Sequence, residues 1–167
     1  MASLEERAAG IRLVVFDVDG VLTDGVLTFG ADGRELKSFF VRDGHGIKAL
    51  RAAGIEVAVI SGRNSEAVSR RMGELGVEHV FQGDDDKLPI YAALVDRLGM
   101  NREQVAYVGD DVPDLPVLRK AGLPIAVADA HPDLRAAVAW TTPSPGGRGA
   151  VRDVCDLLLQ ARAGAGR

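Results

Sequence analysis

Short, nearly continuous apolar runs alternate along this chain with longer stretches whose apolar residues recur every three or four positions. Ile11–Phe16 is the first run and ends at Asp17; Glu56–Ile60 ends at Ser61-Gly62; Gln104–Val108 ends at Gly109-Asp110-Asp111. Pro124–Val127 and a weaker run around His79–Phe81 complete the set. Runs without polar alternation suit strands buried on both faces, as in a parallel sheet covered by helices. The intervening pattern predicts helices over Gly46–Ala53, Ser65–Leu75, Lys87–Leu98, Val112–Lys120, Pro132–Ala137 and Ala150–Ala161. Gly54, Gly76, Gly99 and Gly122 each follow one of these, where a left-handed C-terminal cap favours glycine. Strand and helix in this order predict an α/β fold, a doubly wound, Rossmann-like parallel sheet in one domain over residues 1–167.

One segment breaks the alternation. Val26–Phe29 and Glu35–Phe40 flank the turn-rich Gly30-Ala31-Asp32-Gly33-Arg34, which predicts a small β-hairpin flap over residues 26–40, just after the first strand. Residues 143–149, rich in proline and glycine, read as a flexible stretch, and 163–167 as a frayed tail. Trp140 is expected in the core. His131, before Pro132 at a helix start, is expected to cap or turn rather than react.

Composition narrows the partners. Twenty basic against 24 acidic residues give a net charge of −4, and no basic run is present, so nucleic acid is not expected. A single cysteine, Cys155, in an apolar stretch reads as a buried packing thiol. The charged N-terminus lacks the apolar core of a signal peptide, and no apolar run approaches the ~20 residues of a membrane span. The expectation is a cytoplasmic protein with no membrane partner.

Ligands of a parallel sheet bind beyond the carboxyl ends of its strands. Here three strands end in Asp17-Val18-Asp19, Ser61-Gly62-Arg63 and Asp110-Asp111, which gathers carboxylates, a hydroxyl and loop amides at one edge. Crowded carboxylates repel, and all-oxygen donors suit a hard cation such as Mg²⁺. With a phosphate present, a carboxylate can attack phosphorus, a second can serve as acid and base, and Ser61 with Lys87 can hold the phosphoryl oxygens. Taken singly, each residue has a plainer explanation as a cap, a turn former or a solvated charge. The joint pattern, four sites in order at one sheet edge, is what points to chemistry.

Asp17-Val18-Asp19-Gly20-Val21-Leu22-Thr23, Ser61, Lys87 and Gly109-Asp110-Asp111-Val112-Pro113-Asp114 resemble the four motifs of the haloacid dehalogenase superfamily. A narrower resemblance is to the family of 3-deoxy-D-manno-octulosonate 8-phosphate phosphatases, in the extended run to Gly25, in Val41–Ile47, in Val127–Pro132 and in Gly146–Arg152. It implies a phosphoric monoester hydrolase without a cap domain, using Mg²⁺ in lipopolysaccharide precursor synthesis and assembled as a homotetramer. By position it implies Asp17 as nucleophile, Asp19 as acid/base, and Asp17, the Asp19 backbone carbonyl and Asp110 around the metal, with Asp111 and Asp114 partial or outside it. Ser61 and Lys87 would bind phosphate. Arg63 and the Arg42–Gly46 loop, Gly44 included, are candidates for the sugar acid, and Arg148 for its carboxylate across a subunit boundary. His45, where tyrosine is common, and the acidic Asp84-Asp85-Asp86 depart from the family pattern.

Three other readings suit the same residues. A nine-carbon sugar acid phosphate, or another sugar phosphate, is the alternative substrate. A phosphoaccepting signalling module uses similar groups, but places its acidic pair after the first strand and its acceptor aspartate after the third. A non-catalytic homologue is disfavoured because every chemical position is occupied.

Overall fold

The computed structural model describes residues 2–166. Helix α1 (Leu4–Ala9) precedes strand β1 (Leu13–Phe16), which is followed by a tight helical turn over Val18–Leu22. The hairpin strands are β2 (Thr28–Phe29) and β3 (Glu35–Leu36), and α2 (Val41–Ala52) leads into β4 (Glu56–Ser61). Then come α3 (Glu66–Leu75), β5 (His79–Gln82), α4 (Lys87–Arg97), β6 (Val105–Gly109), α5 (Leu115–Leu118), β7 (Leu123–Ala126), α6 (Pro132–Arg135), β8 (Trp140–Thr141) and α7 (Ala150–Ala165). The six-stranded sheet is parallel throughout, in the order β5-β4-β1-β6-β7-β8. The chain therefore builds outward from β1 to β5, returns across β1, and builds outward again to β8. That reversal is the doubly wound topology expected from the apolar runs.

The central strands are solidly apolar because both faces are covered. Leu13, Val14, Val15 and Phe16 are fully buried, as are Val105 through Val108. Helices α1 and α2 both pack on α7, α3 packs on α2, and α4 packs on α5. Right-handed crossovers put the first group on one face and the second on the other. Trp140, expected in the core, stands half-buried on edge strand β8 and packs against the core from outside. Cys155 is fully buried in α7, as expected.

Several boundaries move. The stretch Val112–Lys120 splits into a 3-10 turn (Val112–Asp114) and the short α5, each with a proline in its first turn. Residues 163–165 continue α7 rather than fraying. Gly54, Gly76 and Gly99 take positive φ after their helices, but Gly122 does not. Gly122 is needed instead for close approach, since a Cβ there would strike the Arg102 carbonyl. Helix α1, unforeseen, is started by a capping box in which Ser3 and Glu6 each accept the other's backbone N–H. His131 does cap α6, with Nδ1 accepting the Asp133 N–H at 3.2 Å.

The Arg42–Gly46 loop of the sequence lies within α2, which begins five residues earlier than its apolar periodicity suggests. Its unusual composition has a packing cause. Gly149, at the start of α7, has no side chain to cap that helix, and Asp43 reaches across from α2 to accept the Arg152 N–H at 3.0 Å. Gly46 lets α7 lie close, since a Cβ there would come within 3.0 Å of the Cys155 side chain.

Burial pushes the Asp43 carboxyl from 3.8 up to about 6, against the pull of the Arg152 amide. The folded state thus holds this proton more tightly than the unfolded chain. Its contribution to stability is complete below pH about 4 and declines as pH rises to about 6, then levels. Asp43→Asn keeps an acceptor for Arg152 and does not titrate. The melting temperature of the variant relative to the parent should therefore climb between pH 4 and 6 and plateau above, read by calorimetry. A difference independent of pH would remove Asp43 as the titrating group.

Candidate active site

Strand pairing carries β1 one residue past its end, because the Asp17 N–H donates to the Val108 carbonyl at 3.0 Å. The chain then folds tightly back, and Thr23 holds the turn. Its Oγ accepts from the Gly20 and Gly25 N–H groups at 3.3 and 3.2 Å and donates to the Val18 carbonyl at 3.4 Å. Gly20 sits at φ 90°, and a Cβ there would collide with the Asp110 carboxylate. The Asp-x-Asp-Gly-x-x-Thr spacing is thus a local necessity as well as a chemical one.

Residues 143–149, expected to be flexible, are a buttress for this turn. The Gly147 N–H donates to the Val21 carbonyl at 2.9 Å, and the Gly146 N–H to Asp129 Oδ1 at 2.9 Å. A side chain at Gly146 would strike the Gly20 carbonyl. The Ser144 N–H donates to Asp153 of α7 at 2.8 Å, which ties the segment to that helix.

Asp17, Asp110 and Asp114 each offer a carboxylate oxygen, all within 4.8 Å of one another. Lys87, at the start of α4 and 7% exposed, places Nζ 2.8 Å from Asp17 Oδ1 and 2.8 Å from Asp114 Oδ1. Asp114 Oδ1 also accepts the Tyr107 hydroxyl at 2.7 Å, and Oδ2 accepts the Asp110 N–H at 3.1 Å. One ammonium cannot offset three carboxylates. Burial, then repulsion from Asp114, lifts the Asp17 carboxyl to about 6 despite Lys87. Burial, then Asp17 and Asp114, lifts Asp110 to about 8. Burial opposes the Lys87 charge, but its two carboxylate partners outweigh it and hold the ammonium above its ordinary range. Burial and Asp114 push the Tyr107 phenol well up, so it remains a donor.

Such a cluster asks for added positive charge. Its hard oxygen donors and the short distances among them fit Mg²⁺, which commonly takes one or two carboxylates and fills its other positions with phosphate and water. The Asp19 side chain stays out of the cluster and pairs with Lys37 of the hairpin, Nζ to Oδ1 at 2.5 Å.

Asp17, Asp19, Ser61, Arg63, Lys87 and Asp110 all line one cavity of about 300 Å³, together with Asp85, Asp111, Asp114 and the loop residues Gly25, Gly62 and Pro113. Ser61 is buried at the end of β4 and accepts the Arg63 N–H at 3.4 Å. Arg42, Gly44 and Arg148 do not line the cavity. The Arg42 guanidinium lies 6.0 Å from the Phe40 ring centre, Gly44 is buried against Arg71 of α3, and Arg148 is exposed. His45 is exposed on α2. Asp114 belongs to the central cluster rather than its margin, and its place four residues after Asp110 on the same loop was the available signal. Of the acidic triplet, Asp85 faces the cavity beside Gly62. Nothing in the sequence pattern singles out Lys37.

A model of haloacid dehalogenase-like hydrolases matches residues 40–122. The chain is 50% identical over 161 residues to 3-deoxy-D-manno-octulosonate 8-phosphate phosphatase KdsC of Escherichia coli K12, covering 96% of this chain and 86% of that one. Its structure superposes on the phosphatase of that name from Yersinia pestis with a TM-score of 0.94 at 49% identity, over 96% of this chain and 86% of the other. The Moraxella catarrhalis phosphatase, solved with magnesium, phosphate and KDO, superposes with a TM-score of 0.94 at 44% identity, over 96% and 92%. The chain belongs to the haloacid dehalogenase-like hydrolases and, within them, to the 3-deoxy-D-manno-octulosonate 8-phosphate phosphatase family.

Mg²⁺ at about 100 times its dissociation constant should stabilise the fold by about 2.7 kcal/mol. For a chain of this size that is a rise of roughly 5–10 °C in melting temperature. Asp110→Asn keeps the shape of the side chain and removes its capacity to ionise around a cation, so most of that rise should vanish in thermal scans with and without Mg²⁺. A variant that kept the full rise would exclude Asp110 from the metal site.

Proposed function

We propose that this protein is a Mg²⁺-dependent phosphatase that converts 3-deoxy-D-manno-octulosonate 8-phosphate to the free sugar acid and phosphate, in lipopolysaccharide precursor synthesis in the cytoplasm. The observation that carries the reading is Asp17: a buried carboxylate at a strand end, facing the cavity, 2.8 Å from a buried ammonium. An Asp17 oxygen attacks phosphorus, the bond from phosphorus to the ester oxygen of the sugar breaks, and Asp19 protonates that oxygen. Water then attacks the aspartyl phosphate as Asp19 takes its proton, releasing phosphate and restoring Asp17. Lys87 and Ser61 hold the phosphoryl oxygens as charge builds on them. Asp17, the Asp19 backbone carbonyl and Asp110, with Asp114 beside them, would hold Mg²⁺, which supplies charge neutralisation at the phosphoryl group.

The substrate reading rests on membership of the family and on the open, capless cavity, which admits a small sugar phosphate. Arg63 at the cavity wall is a candidate for the sugar acid. Arg148 and Arg42 lie outside the cavity of their own chain, so a substrate role for either requires a neighbouring protomer. A homotetramer would also cover the exposed apolar residues of the hairpin, Val26, Leu27, Phe29 and Leu36, of which Val26 is 65% exposed. No helix among the described residues is long and apolar enough to cross a membrane.

Asp17→Asn should lower turnover at least about a thousandfold, because the amide is isosteric but not nucleophilic. Phosphate release with Mg²⁺, compared across eight- and nine-carbon sugar acid phosphates, tests both the mechanism and the substrate. Substantial activity in the variant would refute the covalent route, and a higher specificity constant for a nine-carbon acid would replace the substrate. Phe29→Ser with Leu36→Ser should shift the mass in solution, by light scattering, toward the monomer. An unchanged mass would exonerate the hairpin as the assembly surface.

A further inference from the structure

Lys37 stands one residue beyond β3, at the foot of the hairpin, yet its side chain is only 3% exposed. Its ammonium lies 2.5 Å from Asp19 Oδ1 and 2.7 Å from Glu35 Oε1. Glu35 Oε2 in turn lies 2.5 Å from Arg63 Nη2. The chain Asp19–Lys37–Glu35–Arg63 therefore ties the loops after β1 and β4 to one side of the hairpin. A solvated ion pair between long side chains contributes little and holds no fixed geometry. This one is different, because a buried ammonium with two carboxylate partners has few alternative positions.

The placement of Asp19 needs such a restraint. Two residues before it, Asp17 belongs to a crowded carboxylate cluster with Asp110 and Asp114. A freely rotating Asp19 side chain could turn to the same cations as those groups and leave the side of the cavity from which a leaving oxygen can be protonated. We propose that Lys37 is a positioning residue for the reaction: the hairpin, through Lys37, holds the Asp19 carboxylate apart from the Asp17–Asp110–Asp114 cluster and aimed into the cavity. The inference rests on the reading of Asp19 as acid and base. It adds a duty for the hairpin within its own chain, separate from any contact with a neighbour.

The test compares Lys37→Met, which keeps the length and apolar bulk of the stem, with Lys37→Arg, Asp19→Asn and the Lys37→Met/Asp19→Asn pair. Each is assayed for kcat/KM, which reports the step that expels the leaving group and not the later hydrolysis common to both substrates, on 3-deoxy-D-manno-octulosonate 8-phosphate, whose alkoxide leaving group needs a proton, and on p-nitrophenyl phosphate, whose leaving group does not. Melting temperatures confirm that each variant is folded. Should Lys37→Met fail to fold, Lys37→Gln takes its place. Lys37→Met should lose at least about tenfold in kcat/KM on the sugar phosphate, a part of what a general acid contributes to expelling the leaving group, with little loss in kcat/KM on the aryl ester. Lys37→Arg should recover most of the loss. In the Asp19→Asn background, Lys37→Met should add nothing, because residues acting as a unit are not additive. Equal losses on both substrates, or independent losses in the pair, would overturn the role of Lys37. If Asp19→Asn itself affects both substrates equally, it is the acid/base assignment that fails instead.

Discussion

Three crowded carboxylates, two of them held by one buried lysine, are the constraint from which the rest of the architecture follows. Asp17, Asp110 and Asp114 repel one another, and Lys87 neutralises only part of their charge. Holding them together requires a scaffold that gives them no room to separate. The parallel sheet provides it by ending β1 and β6 side by side, registered so that Phe16 pairs with Val108 just before the acidic loops begin. The fully apolar strands behind these loops are the stable mass against which the electrostatic strain is set. A bound cation relieves that strain, so the cluster favours a hard divalent ion over its own empty state.

The architecture was legible in the sequence because buried parallel strands leave an unambiguous apolar signature, and because strand ends are where polar residues have reason to collect. Asp17, Ser61, Lys87 and Asp110 could be placed at one edge from that logic alone. The parts that were not legible depend on contacts between distant segments. The glycines of residues 143–149 suggest mobility in isolation, but here they are small so that the segment can lie against the Gly20 turn. The Asp43-Gly44-His45-Gly46 run reads as a ligand loop, whereas Asp43 and the two glycines serve helix packing. Lys37 looks like one of many strand-end cations until the hairpin folds back and brings it to Asp19. Helix α1 is a different case: its Ser3–Glu6 capping box was visible, and the charged composition around it drew the reading elsewhere.

The hairpin joins two demands that are usually separate. Its outer surface exposes Phe29 and Leu36, while the residues on either side of Leu36, Glu35 and Lys37, engage Arg63 and Asp19. Alternation along a strand sends neighbouring side chains to opposite faces, so one short element can present an apolar side outward and an ionic side inward. The hairpin thereby meets the loops after β1 and β4 with one face and leaves the other exposed.

The segment from Ser144 to Asp153 has a consequence for how the molecule comes apart. It is fastened at one end to the turn after β1, through Gly147 and Val21, and at the other to α7, whose first turn is closed by Asp43 of α2. Detaching the C-terminal helix would therefore pull the support from beneath Asp17, although the two are separated by the greater part of the sequence. Local opening in this protein should not spare the turn after β1 while the last helix is released. The amides of residues 20–25 and those of α7 would exchange with solvent as one cooperative unit, and the chemistry would share the fate of the chain's final packing event.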